Sequence, residues 1–389
     1  MTMKNRSSDS QVLSLVKELI SKKSITPLDD GCQKLIADRL NKFGFKVTNL
    51  KFNEVTNTWL RIGHSDPLVV FAGHTDVVPP GPLEKWDSDP FEGAIKDGRL
   101  RGRGASDMKS SIAAFVIAIE NYLASNKPLD KGSIALLLTS DEEGPATNGT
   151  KKVVEWLRDR QEYPTFCVVG EPTSSKKLGD TIKNGRRGSI SGDLTIIGRQ
   201  GHVAYPDLAK NPIHSLGLIV KDLTEIEWDK GNKFFPPTSF QISNIAGGTG
   251  ATNIIPGTAK ILFNLRFSPE ITIDEIKQNI RNICENHKLE FRLKWNISGL
   301  PFLTHSGDIV NIVQDKIRRI TGITPNLSTS GGTSDARFIS SICDQVIEFG
   351  PVNKTIHQVN EEIRTEDLEN LVFIYQEILS GLLDVKTLL

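Results

Sequence analysis

Leu68-Val69-Val70-Phe71-Ala72-Gly73-His74-Thr75-Asp76 is a continuous apolar run that ends in a glycine, an imidazole and, two residues further on, a carboxylate. An apolar run of this length bounded by a turn residue fits a strand buried on both faces, the kind found in parallel sheets. Gly73 lets the chain turn, so His74 emerges at the carboxyl end of the strand, where open α/β sheets bind their ligands. Asp76 is placed to accept the second N–H of the imidazole and so to fix which nitrogen faces a metal. Taken alone, the same residues would also suit a surface turn or a helix N-cap. What other strands bring to the same edge decides between them.

Apolar runs return at Ile134 to Thr139, Phe166 to Val169 and Gln345 to Phe349. Helical spacing lies around them: Val12, Leu15, Val16 and Leu19, then Leu35, Ile36 and Leu40; the nearly all-apolar Ile112 to Ile119; Gly149 to Arg160; and Ile309 to Thr321. Strands alternating with helices predict an α/β fold, a three-layer catalytic domain with a mostly parallel sheet. From about Gly188 the pattern changes. Strand Ser191 to Gly198, helix Pro212 to Ile226, strands Ser239 to Ile245 and Ala259 to Phe267, helix Ile273 to His287 and strand Glu290 to Asn296 give the order βαββαβ. That is the order of an inserted two-layer α+β ferredoxin-like domain. The expected division is a catalytic domain in two parts, 1–187 and 301–389, with the insertion at 188–300. Alternating polar and apolar residues from Ser191 to Ile197 suggest a half-exposed sheet whose edge pairs with a second subunit, so this is expected to be a dimerisation domain and the protein a homodimer.

A chain of 389 residues exceeds one ordinary core, in keeping with more than one domain. Its 47 lysines and arginines balance its 47 aspartates and glutamates, with no basic block, so nothing supplies the electrostatic attraction that nucleic acid or an anionic membrane requires. Cys32, Cys167, Cys284 and Cys343 lie far apart and form no Cys-x-x-Cys pair, which argues for a reducing compartment and against a cysteine metal site. The polar start Met1 to Ser10 carries no apolar core, and no later run approaches the roughly 18 residues of a membrane span. The expectation is a soluble, cytoplasmic protein with a small-molecule partner.

Each strand of the predicted parallel sheet is followed by a possible ligand: His74; Glu142 and Glu143; Glu171; and His357. Asp107 precedes the apolar helix. Individually these have ordinary readings, a helix-start pair for Glu142-Glu143, a loop residue for Glu171, a surface histidine for His357. Together they are a ligand list for two divalent ions of the zinc type. Three carboxylates, Asp107, Glu143 and Glu171, against two dications leave a charge that one hydroxide neutralises. Adjacent carboxylates are useful when one binds a metal and the other takes a proton from water.

Gly73-His74-Thr75-Asp76-Val77-Val78, Gly102-Arg103-Gly104-Ala105-Ser106-Asp107-Met108-Lys109, Ser140-Asp141-Glu142-Glu143-Gly144 and Gly170-Glu171-Pro172 resemble the signatures of the dinuclear-zinc aminoacylase and carboxypeptidase family, in order and from the first helix to the C-terminus. The resemblance implies that Asp107 bridges two divalent ions, Zn2+ or alternatively Co2+, with His74 and Glu171 completing one site and Glu143 and His357 the other. It further implies that Asp76 orients His74, that Glu142 is the general base, and that the Asp107–Met108 peptide is cis. Ser110 stands where glycine is usual and Pro82 where aspartate is usual, so the local loops depart from the pattern. Thr329 to Phe338 and Asn353 to Glu361 look most like members that hydrolyse N-succinyl-LL-2,6-diaminopimelate, which implies that substrate. A related deacylase or exopeptidase, such as one acting on acetylornithine, and a non-catalytic binding protein on the same scaffold remain the alternatives.

A substrate with several carboxylates needs guanidinium and hydroxyl donors. By the same resemblance these are Arg186, Ser189, Arg266 and Thr333, with Tyr205, Asn253 and Asn353 as further candidates; Arg186 and Arg187 would also suit a solvated hinge. His202 is implied to donate to the oxyanion in the active site of the other subunit. His64, His214, His287 and His305 receive no role.

Overall fold

The structure, a computed structural model, describes residues 10–125, 129 and 131–385, so the polar start read above lies outside the described residues except for Ser10. The chain divides into two compact units, one of Met1–Gly185, Thr304–Ser328 and Ser334–Leu389, the other of Arg186–Leu303 with Thr329–Thr333.

The first unit is built on an eight-stranded sheet in the order Lys46–Phe52, Val55–Ile62, Ser133–Thr139, Leu68–His74, Phe166–Val169, Val346–Glu348, Thr181–Lys183, Asn326–Ser328. Its centre is parallel: Leu68–His74 lies between Ser133–Thr139 and Phe166–Val169, and Val346–Glu348 follows. Every residue of these four strands is buried, as their continuous apolar runs require. Lys46–Phe52 and Val55–Ile62 extend the sheet antiparallel at one edge, and Thr181–Lys183 meets Val346–Glu348 antiparallel towards the other. The outermost strand, Asn326–Ser328, pairs parallel with Thr181–Lys183, so the sheet is mostly parallel, with antiparallel pairings where these edge strands, which the sequence reading did not name, join it.

Val69, Phe71, Ile134, Leu136, Leu138, Phe166, Val168 and Ile347 enter one core with the helices Gln11–Ser21, Cys32–Asn41, Lys109–Ser125, Asp308–Thr321 and Thr365–Leu383. Phe115 stacks on Phe71 at 4.4 Å between ring centres and meets Tyr375 at 4.3 Å, which fixes helix Lys109–Ser125 against the strand that ends in His74. Lys109, fully buried, donates to the carbonyls of Leu19 and Lys22 at 2.8 Å each and so caps the end of helix Gln11–Ser21. Helix Thr150–Asp159, whose buried Val153, Val154 and Leu157 stand outside that core, packs on Ser133–Thr139 as the third layer.

The second unit is a four-stranded antiparallel sheet in the order Ser239–Gly247, Thr258–Phe267, Gly188–Ile197, Glu290–Gly299, packed against helices Pro212–Glu225 and Ile273–Asn286. Taken in chain order, its strands lie 2-3-1-4, the ferredoxin-like arrangement. Residues alternate between buried and half-exposed along Gly188–Ile197 and Thr258–Phe267, since only one face meets the helices. Asn211 before Pro212 and the Thr272–Glu275 capping box start the two helices. His287 pairs with Asp222 at 2.6 Å and joins them. All four cysteines are free and buried. Among the described residues no helix is long and apolar enough to cross a membrane.

Candidate metal centre

Parallel strands end on the same edge, so the residues that follow Ser133–Thr139, Leu68–His74, Phe166–Val169 and Val346–Glu348 converge. His74, Asp107 and Glu171 each offer a ligand atom within 4.8 Å of the others, and Asp107, Glu143 and His357 do the same. Asp107 belongs to both groups through different oxygens: Oδ1 lies 3.2 Å from His74 Nε2, and Oδ2 lies 3.4 Å from His357 Nε2. Glu171 Oε1 is 3.9 Å from His74 Nε2, and Glu143 Oε1 is 3.0 Å from His357 Nε2. Nitrogen and oxygen donors in two groups that share one carboxylate suit two borderline divalent ions. Among the described residues no lysine or arginine forms an ion pair with Asp107 or Glu143; their close partners are the imidazoles of His74 and His357.

Asp107 stands at the turn before helix Lys109–Ser125, and its peptide bond to Met108 is cis. Asp76 corrects one expectation. His74 Nδ1 donates to the main-chain carbonyl of Asp76 at 2.9 Å, while the Asp76 carboxylate is 3.7 Å away. That carboxylate, fully buried, instead accepts the N–H groups of Glu142 at 3.4 Å and Glu143 at 3.1 Å. Asp76 therefore orients His74 through its backbone and fixes the acidic pair through its side chain.

The buried carboxylates and imidazoles perturb one another strongly. Burial alone would lower the basicity of His74, but its hydrogen bond to Asp107 and the charges of Glu142 and Asp76 push it well above the usual histidine value. Hydrogen bonds to Asp107 and Glu143 raise His357 to about 10. Burial pushes the carboxyl of Glu142 well up, and the neighbouring Glu171 adds to this. Asp107 is lowered: burial opposes ionisation, and the two histidines outweigh it. Burial raises Asp76 to about 6. Asp335, buried and without an assigned role in the sequence reading, adds a further negative charge that acts on Glu142.

Residues 70–381 match the profile of peptidase family M20/M25/M40. The chain belongs to this family. It is 56% identical over 371 residues to succinyl-diaminopimelate desuccinylase of Nitrosospira multiformis, covering 95% of this chain and 98% of that protein. The enzyme of the same name from Bordetella petrii is 56% identical over 375 residues, covering 96% of this chain and 98% of the relative. An M20 family metallo-carboxypeptidase from Sulfolobus solfataricus, Sso-CP2, shares the fold with a TM-score of 0.79 at 17% identity, over 97% of this chain and all of that one.

In this member of family M20/M25/M40 all the ligand-type residues lie in the first unit, together with Glu142 and Asn353, whose N–H donates to Ser174 at 2.8 Å. The remaining substrate candidates lie in the second. Ser189 and Arg266 are register partners on neighbouring strands, and Asn264 donates to the Ser189 hydroxyl at 3.1 Å. Arg186 donates to the carbonyls of Ser330 and Gly332 at 3.2 Å each, which ties it to the loop that ends in Thr333. His202, on the short strand paired with Ile254–Ile255, accepts from the N–H of Ala204 at 3.1 Å and lies 5.7 Å from the Tyr205 ring. Asn253 joins them by accepting the N–H of Val203 at 3.1 Å. The sequence reading gave no role to Arg103 or Glu361, which form a buried ion pair beside Asp107 at 2.8 Å.

Proposed function

We propose that this protein is a metal-dependent amidohydrolase that converts N-succinyl-LL-2,6-diaminopimelate and water into succinate and LL-2,6-diaminopimelate, a step of diaminopimelate and lysine biosynthesis. The observation that carries the reading is the pair of ligand groups sharing Asp107 with Glu142 next to one of them, in a chain more than half identical to enzymes named for this reaction.

His74, Asp107 and Glu171 would hold one divalent ion, and Asp107, Glu143 and His357 the other, with Zn2+ the best fit to this donor set and Co2+ an alternative. Such ions supply Lewis-acid polarisation of the scissile carbonyl and acidify the attacking water. Glu142 takes the proton of that water, and its raised basicity suits a group that must hold the proton and then return it to the departing amine. Asp76 keeps Glu142 and its ligand neighbour Glu143 in register through their N–H groups. No nucleophilic serine or cysteine is required.

Arg186, Ser189, Arg266 and Thr333, with Tyr205, Asn253 and Asn353, are the donors proposed to receive the substrate carboxylates. The second unit is proposed to be an inserted dimerisation domain. Its outer strand Ser239–Gly247 leaves one edge open and carries Ile245 at 70% exposure, a surface suited to a second copy in a homodimer. His202 is then the donor one subunit lends to the oxyanion of the other. The balanced charge suits a cytoplasmic enzyme with no nucleic-acid or membrane partner. Metal analysis of the purified protein, combined with an assay on N-succinyl-diaminopimelate and light scattering, tests the reading. Two ions per chain, succinate release and a dimer are expected; a metal-free active monomer would refute it.

A further inference from the structure

Glu361 is a fully buried carboxylate for which metal binding has no direct use. Each of its oxygens accepts two donors. Oε2 takes Arg103 Nη1 at 2.8 Å and the N–H of Gly104 at 3.0 Å; Oε1 takes the N–H of Ser106 at 2.7 Å and of Asp107 at 2.9 Å. Three of the four donors are backbone amides of the turn that presents Asp107.

The other end of the arrangement is the segment that carries His357. Strand Glu362–Arg364 pairs antiparallel with Arg99–Arg101, and the N–H of Gly102 donates to the Glu361 carbonyl at 3.0 Å. Before the histidine, the Ser106 hydroxyl donates to the carbonyl of Val352 at 2.8 Å. Residues 352 and 361 are thus both fastened to the stretch that leads into Asp107, and His357 sits in the loop between them. His357 and Asp107 belong to the same ligand group.

We propose that Glu361 is a positioning residue for the metal centre: its carboxylate ties the backbone of the Gly104–Asp107 turn to the segment bearing His357, and so sets the spacing of two ligands that come from distant parts of the chain. The plainer reading is that Glu361 only neutralises the buried Arg103, which is 2% exposed and packs 5.4 Å from the Trp86 ring. The three amide donors distinguish the two readings. A carboxylate offers about four acceptor sites and no donor, whereas an amide turns one of its two ends into a donor, so glutamine must abandon one of the two donor pairs. A tie to the ligand's backbone is sensitive to this, because metal sites tolerate only about 0.2 Å in their bond lengths.

The inference rests on the metal reading above and is independent of the substrate. Its test is a Co2+ titration of the full chain, followed by visible absorption and by competition with a chelator, on wild type, Glu361→Gln and the double variant Glu361→Gln with Arg103→Met, each checked for folding by circular dichroism. If the wild type binds no ion, the metal reading itself fails, which is distinct from failure of the role of Glu361. The positioning role expects the single variant to bind Co2+ about 10–100-fold more weakly with an altered spectrum, and the double variant to remain weak because removing Arg103 does not restore the acceptor that the abandoned backbone amides have lost. Wild-type affinity in folded Glu361→Gln, or recovery of affinity in the double variant, would leave only charge neutralisation and overturn the proposal. If neither variant folds, Glu361 is a determinant of folding and the positioning role is rejected.

Discussion

Gly170→Ala isolates the coupling between core packing and the metal site. Gly170 lies between the end of strand Phe166–Val169 and Glu171, and its φ is not positive, so alanine meets no backbone penalty there. A Cβ at this position would stand 2.5 Å from Met108 Cε, 2.6 Å from Ser111 Cβ and 2.7 Å from Phe115 Cε2. Ordinary carbon contacts are about 3.5–4.0 Å, so each neighbour must yield by about 1 Å. Met108 can swing away. Ser111 and Phe115 are carried by helix Lys109–Ser125, and Phe115 is held between Phe71 and Tyr375, so the helix must move from the strand as a body. Overpacking of this kind costs about 1–3 kcal/mol. The same displacement separates Asp107, just before the helix, from Glu171, just after the strand, by more than the roughly 0.2 Å a metal site tolerates. The assay is thermal unfolding of the chelated protein together with Co2+ titration of the folded one. The expected result is a lower melting temperature and at least about tenfold weaker binding. A variant with lowered stability but undiminished Co2+ affinity would refute the link between helix position and ligand spacing, and unchanged stability would refute the packing argument itself.

Glu142→Gln should lower turnover about 10²–10⁴-fold while leaving the number of bound ions unchanged, because Glu142 belongs to neither ligand group; stopped-time succinate release and metal analysis check both halves. In the ion-free protein His357 is raised to about 10 by its hydrogen bonds to Asp107 and Glu143, and His74 is held above its usual value by Asp107, so ions compete with protons for these imidazoles. Calorimetry in buffers of different ionisation heat should therefore show proton release on metal binding, with affinity weakening as pH falls; a buffer-independent heat would contradict this. Tyr375→Phe removes the hydroxyl that donates to the buried carbonyl of Phe349 at 2.7 Å and should destabilise the protein by about 1–3 kcal/mol, read by denaturant titration.

The catalytic sheet was legible where its strands are buried on both faces, because Leu68 to Phe71 and Ile134 to Leu138 can then be apolar throughout. Val55–Ile62 escaped because its buried Asn57 and Thr58 carry polar side chains that find partners only after folding. Asn57 donates to the carbonyls of Leu50 and Asn148, and Thr58 to Gln33. The clustering of ligand-type residues was legible because parallel topology gathers strand ends, so strand order alone brings His74, Glu143 and Glu171 to one edge. The role of Asp76 was partly misplaced for a local reason: its carbonyl reaches Nδ1 first, which releases the carboxylate to the N–H groups of Glu142 and Glu143. Glu361 left no signal in the sequence, since most of its partners are main-chain amides, which no residue type announces.

A comparison of rates on two acylated amino acids tests the proposed reaction. The purified protein, loaded with Zn2+ or Co2+, is assayed on N-succinyl-LL-2,6-diaminopimelate and on N-acetylornithine, before and after chelation. The kcat/KM should be at least about 100-fold higher for the succinyl substrate, because the acetyl compound leaves the proposed carboxylate-binding donors unpaired, and activity should be lost when the ions are removed. Preference for acetylornithine, or full turnover after chelation, would contradict the proposed reaction.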